Sequence, residues 1–166
     1  MGGARKRNRR DPWRTSVRIT KMTDYALRLL MYVAQRPERL CTIVEVARVH
    51  GISEPHLMKV AHRLGVRGWL VTVRGKGGGV RLACEPEAIV LGRVVRDIEP
   101  DFELVECFGT ATRCNLSGQC RLAEVLGGAL QSFLAHLDAY TLADLLVPAA
   151  LPALADAAGI PIHIAD

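Results

Sequence analysis

Apolar residues recur at helical spacing from about residue 20 to 35, where Ala26, Leu29, Leu30 and Val33 follow i, i+3, i+4, i+7. Pro37 lies just beyond and marks the end. A shorter helix opens after Cys41-Thr42 and runs to about Val49, with Val44, Ala47 and Ile43 as its inner positions. His50-Gly51 makes the turn that follows. Ser53 suits the N-cap of a third helix, whose first turn tolerates Pro55. That helix turns Leu57, Val60, Ala61 and Leu64 inward, and Gly65 is placed to end it in a left-handed conformation. Segments 69–73 and 80–83 are β-prone runs separated by Arg74-Gly75-Lys76-Gly77-Gly78-Gly79, a hairpin with a cationic tip. Segment 87–98 predicts another short helix. The longest helical pattern runs from about 121 to 146, with Leu122, Leu126, Ala129, Leu130, Phe133, Leu137 and Tyr140 in one stripe.

A short helix, a glycine turn and a capped second helix make a helix–turn–helix pattern, and the hairpin stands where a wing belongs. The predicted fold is mainly α: a winged helix–turn–helix domain with a two-stranded wing, plus a long dimerisation helix. A long amphipathic helix in a small protein must bury its stripe, and its copy in a second subunit is the natural cover. The chain divides into a basic arm at 1–17, disordered or a leader, and a winged-helix domain at 18–100. A cysteine-bearing loop at 101–120, the dimerisation helix at 121–146 and an Ala/Pro-rich tail at 147–166 complete it.

Composition agrees with packed helices, since 49 % of the 166 residues are apolar but only 5 % aromatic. The apolar runs stop short of a membrane span, and the basic N-terminus lacks the apolar core of a secretory signal. A cytoplasmic protein without a membrane partner is expected. The net charge of +5 hides a segregation: residues 1–18 carry +6, residues 19–84 carry +7 and residues 85–166 carry −8. A polyanion is drawn to the first half and repelled by the second.

On the outer face of the third helix lie His56, Lys59 and Arg63, with Ser53 at its start. Such side chains reach base edges and phosphates from the major groove of double-stranded DNA, although a solvated helix face looks alike. The hairpin favours DNA: its glycines permit close backbone approach, and Arg74, Lys76 and Arg81 supply charge. A phosphate loop for nucleotides is the weaker reading, because the glycines lead into a strand rather than a helix.

Three cysteines, Cys107, Cys114 and Cys120, stand in ECFGTATRCNLSGQC. Gaps of six and five residues are too loose for one helix face but suit a loop around a polynuclear metal centre. Iron–sulfur clusters are usually held by four thiolates, so three leave one iron to another ligand and open to a small gas. Cys41 and Cys84 sit in apolar-patterned stretches and read as small core residues.

Together the stretches TKMTDYALRLL at 20–30, VRGKGGGVRL at 73–82, VVRDIEP at 94–100, the three cysteines and LQSFLAHLDAYTLADLL at 130–146 resemble the winged-helix iron–sulfur regulators of the IscR/NsrR superfamily. The last stretch favours the NsrR-type, nitric-oxide-sensing branch. The resemblance implies a homodimer with one cluster per subunit, [4Fe-4S] or [2Fe-2S]. It places Cys107, Cys114 and Cys120 on the thiolate ligands and Asp24 of the partner subunit on the fourth. An Asp in a first helical turn is also favourable for the helix itself. The histidine that IscR-like members carry after the third cysteine is absent, since Arg121, Leu122 and Ala123 follow Cys120. The first cysteine gap is longer than is common in the family, and family starts align near Val17-Arg18. The implied function is a repressor that releases operator DNA in response to nitric oxide. An IscR-like regulator of cluster assembly or iron/oxygen sensor, a zinc or disulfide thiol switch, and an iron–sulfur electron carrier are the alternatives. No catalytic constellation stands out, so an enzyme is not expected.

Overall fold

A computed structural model describes residues 19–105, 108 and 120–146; the arm at 1–17, the tail at 147–166 and most of the cysteine loop lie outside the described residues. The first helix, α1 (Lys21–Ala34), begins at Thr20, whose hydroxyl oxygen accepts the Thr23 backbone N–H at 3.4 Å. Helix α2 (Ile43–His50) is capped by Thr42 in the same way, through the Glu45 N–H at 3.2 Å, and ends at Gly51 with φ of 64°. Helix α3 (Glu54–Val66) follows after two residues. Strands β1 (Leu70–Val73) and β2 (Gly79–Leu82) pair antiparallel, with Leu70 opposite Leu82 and Val73 opposite Gly79. A 3-10 turn at Pro86–Ala88 leads to α4 (Leu91–Ile98). Helix α5 (Arg121–Asp138) and a 3-10 turn at Ala143–Leu145 complete the described chain. The arrangement is a winged helix–turn–helix.

One core joins these elements. Leu29, Leu30 and Val33 of α1, Val46 of α2, Leu57, Val60 and Leu64 of α3, Val80 of β2, and Val94 and Ile98 of α4 are all buried. Burying each such side chain stabilises the fold by about 1.5–3 kcal/mol before chain entropy is counted. Ile89 and Leu142 close the core from the C-terminal side, where the Leu142 N–H donates to the Ile89 carbonyl at 2.8 Å.

The pattern reading is corrected in five places. In α2 the inward residues are Val46 and Ala47, and Val44 is exposed. Helix α3 runs past Gly65 to Val66, and Gly68, with φ of 79°, takes the left-handed position. Segment 87–98 is split, because its first residues form the 3-10 turn. Helix α5 ends at Asp138, well before 146, and the chain there turns back onto α4, with the Leu91 N–H donating to the Tyr140 carbonyl at 2.9 Å. Cys41 is buried as expected, and burial pushes its thiol up, whereas Cys84 is exposed.

Candidate DNA interface and cysteine segment

The turn at Gly51 and the packing of Leu57, Val60, Ala61 and Leu64 hold α3 against α1 and α2, so one face points outward. Ser53, Lys59 and His62 are exposed on α3, and Arg63 is half-buried. Ser53 occupies the N-cap position, yet its side chain makes no capping hydrogen bond. His56 is packed edge-on against Tyr25 of α1, with ring centroids 4.9 Å apart. His62 lies on a neighbouring strip of the same helix, apart from the His56, Lys59 and Arg63 positions that the sequence marks.

The wing is built from its root. Of β1 only Leu70 is buried; Val71, Thr72 and Val73 face water. On the β2 side the main chain of Cys41 forms a bridge to Val80, with N–H to carbonyl distances of 2.9 and 2.8 Å in the two directions. That approach needs Gly79, since a Cβ there would stand 2.6 Å from the Cys41 carbonyl oxygen. On the β1 side the Trp69 indole N–H donates to Asp97 Oδ2 at 2.9 Å. Arg74, Lys76 and Arg81 are exposed. Among the described residues neither they nor Lys59 and Arg63 form an ion pair, so their charge faces outward uncompensated.

Helix α4 fastens three neighbours through residues close together in sequence. Arg96 holds Asp138 of α5 with two hydrogen bonds of 2.6 and 2.7 Å. The Arg96 guanidinium holds the Asp138 carboxyl below the usual carboxylate range. Asp97 holds Trp69. Glu99, at the end of α4, accepts the Thr20 N–H at 2.9 Å, the Thr20 hydroxyl at 3.1 Å and the hydroxyl of buried Thr23. The start of α1 is thereby tied to the residues that enter the cysteine loop. The sequence singled out 94–100 only through the family resemblance, and nothing local signals pairings so distant along the chain.

Asp24 lies in the first turn of α1, half-exposed, and accepts a 2.9 Å hydrogen bond from Arg28 Nε one turn later. Cys120 is a free, half-buried thiol at the N-cap of α5. Cys107 and Cys114 lie outside the described residues, so the geometry of the three together is not described. Among the described residues no group of three or more His, Cys, Asp or Glu is close enough to hold a metal ion. Two observations place the ends of the loop at α5. Cys120 stands at the N-cap of α5. The Phe108 ring lies against the backbone of α5 at Gly127, and so returns the start of the loop to that helix.

A winged-helix domain with an outward cationic face is the architecture of a DNA-binding regulator. The Rrf2 family, described as an iron-dependent transcriptional regulator, matches residues 19–148, and the chain belongs to that family. The HTH-type transcriptional regulator NsrR of Bacillus subtilis is 48 % identical over 132 residues, which is 78 % of this chain and 90 % of that protein. The NsrR regulator of Geobacillus kaustophilus is 46 % identical over 132 residues, with 78 % and 90 % covered. Among solved structures, CymR, the global cysteine regulator of B. subtilis, matches with a TM-score of 0.64 at 25 % identity, covering 78 % of this chain and 96 % of that one. IscR of T. potens matches with a TM-score of 0.63 at 26 % identity, covering 78 % and 86 %. These relatives are transcriptional regulators, not enzymes. Among the described residues no helix is long and apolar enough to cross a membrane.

Proposed function

We propose that this chain is an iron–sulfur-dependent transcriptional repressor that binds operator DNA as a homodimer and releases it in response to nitric oxide. The observation that carries this reading is the 48 % identity to an NsrR regulator over 78 % of the chain, with all three loop cysteines present. The weaker likeness to IscR, at 26 % identity, makes the IscR-like alternative second.

Cys107, Cys114 and Cys120 would hold the cluster, [4Fe-4S] or [2Fe-2S], and Asp24 of the partner subunit would be its fourth ligand. When bound, the cluster would supply an iron without a thiolate, open to nitric oxide. Everything else is done by the chain. Ser53, His56, Lys59 and Arg63 enter the major groove, and Arg74, Lys76 and Arg81 meet the backbone or minor groove beside it. Asp24 has two partners to choose from: the loop of the other subunit, or Arg28 one turn along its own helix, with which it is paired in the structure. A carboxylate moved between those partners shifts α1, and Glu99 links α1 to the loop entrance within the same subunit. This is a two-state element biased by ligation at its edge. The stripe of α5 packs on its copy and sets the spacing of the two recognition helices.

Anaerobic purification, followed by an absorption spectrum with iron and sulfide analysis, tests the cofactor. The expected result is a charge-transfer band with iron and acid-labile sulfide in equal amounts. A colourless protein carrying one zinc per subunit would turn the reading toward a thiol switch.

A further inference from the structure

We infer that Asp97 is a positioning residue for the wing, holding the hairpin in its DNA-binding attitude through the Trp69 indole. The wing has two anchors. The anchor of β2 is main chain to main chain, through Cys41 and Val80, and cannot be altered without moving the core. At the root of β1, where Leu70 is buried and the Trp69 main-chain N–H reaches Leu64, the tie to α4 is made by side chains: a hydrogen bond of 2.9 Å from a half-buried indole to a half-buried carboxylate. Beyond Leu70 the strand β1 is exposed, with the Thr72 hydroxyl beside Gly65 of α3. Trp69 also closes the hairpin, since its carbonyl accepts the Ala83 N–H at 3.1 Å and its own N–H donates to Leu64 at the end of α3 at 2.9 Å. A change at the indole is therefore passed to both strands and to the end of the recognition helix.

Asp97 stands between Arg96, which grips α5, and Glu99, which grips α1. The attitude of the wing is thus set from the same turn of α4 that leads into the cysteine loop. The inference rests on the reading that the wing tip touches DNA.

The test uses the full-length, cluster-bearing protein under anaerobic conditions. The probe is a palindromic duplex selected from random-sequence DNA by the unaltered protein. Asp97→Ala and Trp69→Phe break the bond from either side. Each is expected to weaken binding about three- to tenfold, the effect of one hydrogen bond, and the double variant no more than either alone. Asp97→Asn keeps an acceptor oxygen and is expected to restore binding to within about twofold of the unaltered protein. The decisive comparison adds Arg74→Ala or Lys59→Ala to Asp97→Ala. Arg74→Ala should add almost nothing there, because the tip is already out of place, whereas Lys59→Ala should add in full. The salt slope of Asp97→Ala should fall by about one unit.

If Arg74→Ala and Lys59→Ala both add in full, or if Asp97→Asn is as weak as Asp97→Ala, Asp97 serves stability alone and the inference falls. If Arg74→Ala has no effect in the unaltered protein, the wing-docking reading falls and takes the inference with it. The two failures are told apart by that single variant.

Discussion

Helices α1 and α3 of residues 19–84 and helix α5 of residues 85–146 are built on opposite terms. In the first region each helix has a buried face, and α1 and α3 alone contribute Ala26, Leu29, Leu30, Val33, Leu57, Val60, Ala61 and Leu64 to the core. In the second region α5 has 18 residues and not one of them is buried; Leu122 and Val125 are each 61 % exposed and Phe133 is 43 % exposed. The first region is cationic and the second anionic. An exposed apolar stripe marks an interaction surface, whereas α1 and α3 are covered within the chain by a core that also takes in Ile89, Val94, Ile98 and Leu142. On the proposed function, DNA contact belongs to α3 and the wing, and assembly to the exposed stripe of α5.

The sharpest way to break this comparison is to charge the stripe. Phe133→Glu is expected to leave the winged-helix core folded, to convert a dimer to a monomer in analytical ultracentrifugation, and to weaken operator binding by about a hundredfold or more, since two half-sites are no longer linked. A monomer that binds the full operator as well as the unaltered protein would refute the assignment. The complementary change is Leu57→Ala, at a fully buried position of α3. It should cost about 2–5 kcal/mol of stability in a denaturant titration while Leu122→Ala costs less than about 1 kcal/mol in the same monomeric reference. Similar costs at both sites would mean that α5 is packed within its own chain.

A smaller effect lies at Asp24. Arg28→Ala removes the local partner of the carboxylate. Resting operator affinity should change by no more than about threefold, the scale of an exposed ion pair, and a higher dose of nitric oxide should be needed for release. An unchanged dose–response would remove Arg28 from the switch. The smallest effect concerns Asp138, whose carboxyl is lowered by Arg96. A lowered carboxyl contributes stability that is present above its unfolded value and lost as the pH falls through its folded value. The α4–α5 link should therefore hold above about pH 4 and loosen only below it. Because the pair is exposed, the difference from Asp138→Asn in acid melting should be slight, and a large one would mean that the pair is covered in the dimer.

The α-helical skeleton was legible because α1 and α3 are long enough to show several turns of one phase. Helix α2 was not, since in eight residues with Ile43, Val44, Val46 and Val49 apolar the phase is open, and only packing against α3 selects Val46. The stripe of α5 continues in phase through Leu137 to Tyr140, but the main chain leaves the helix at Asp138, where Arg96 grips the carboxylate and the Tyr140 carbonyl pairs with Leu91. Pattern reading follows side-chain phase and is blind to such long-range capture. The same blindness hid Trp69–Asp97 and the Glu99 contacts with Thr20 and Thr23, which join residues far apart in sequence through single polar atoms. Cationic positions such as Lys59, Arg74 and Lys76 were legible because charge segregation and glycine content are written locally. The cysteine loop stands out in the sequence by its three thiols, and most of it lies outside the described residues.

The central claim is that cluster ligation in the second region governs DNA contact in the first. It is tested most directly by operator affinity, measured anaerobically before and after a stoichiometric series of nitric oxide, for the unaltered protein and for Cys114→Ala with iron and sulfide counted in each. The account predicts tight binding by the unaltered protein that is lost as nitric oxide is added, and a Cys114→Ala protein without a full cluster that binds weakly at every dose. A Cys114→Ala protein that keeps a full complement of iron and sulfide, binds tightly and still releases the operator on nitric oxide would contradict it.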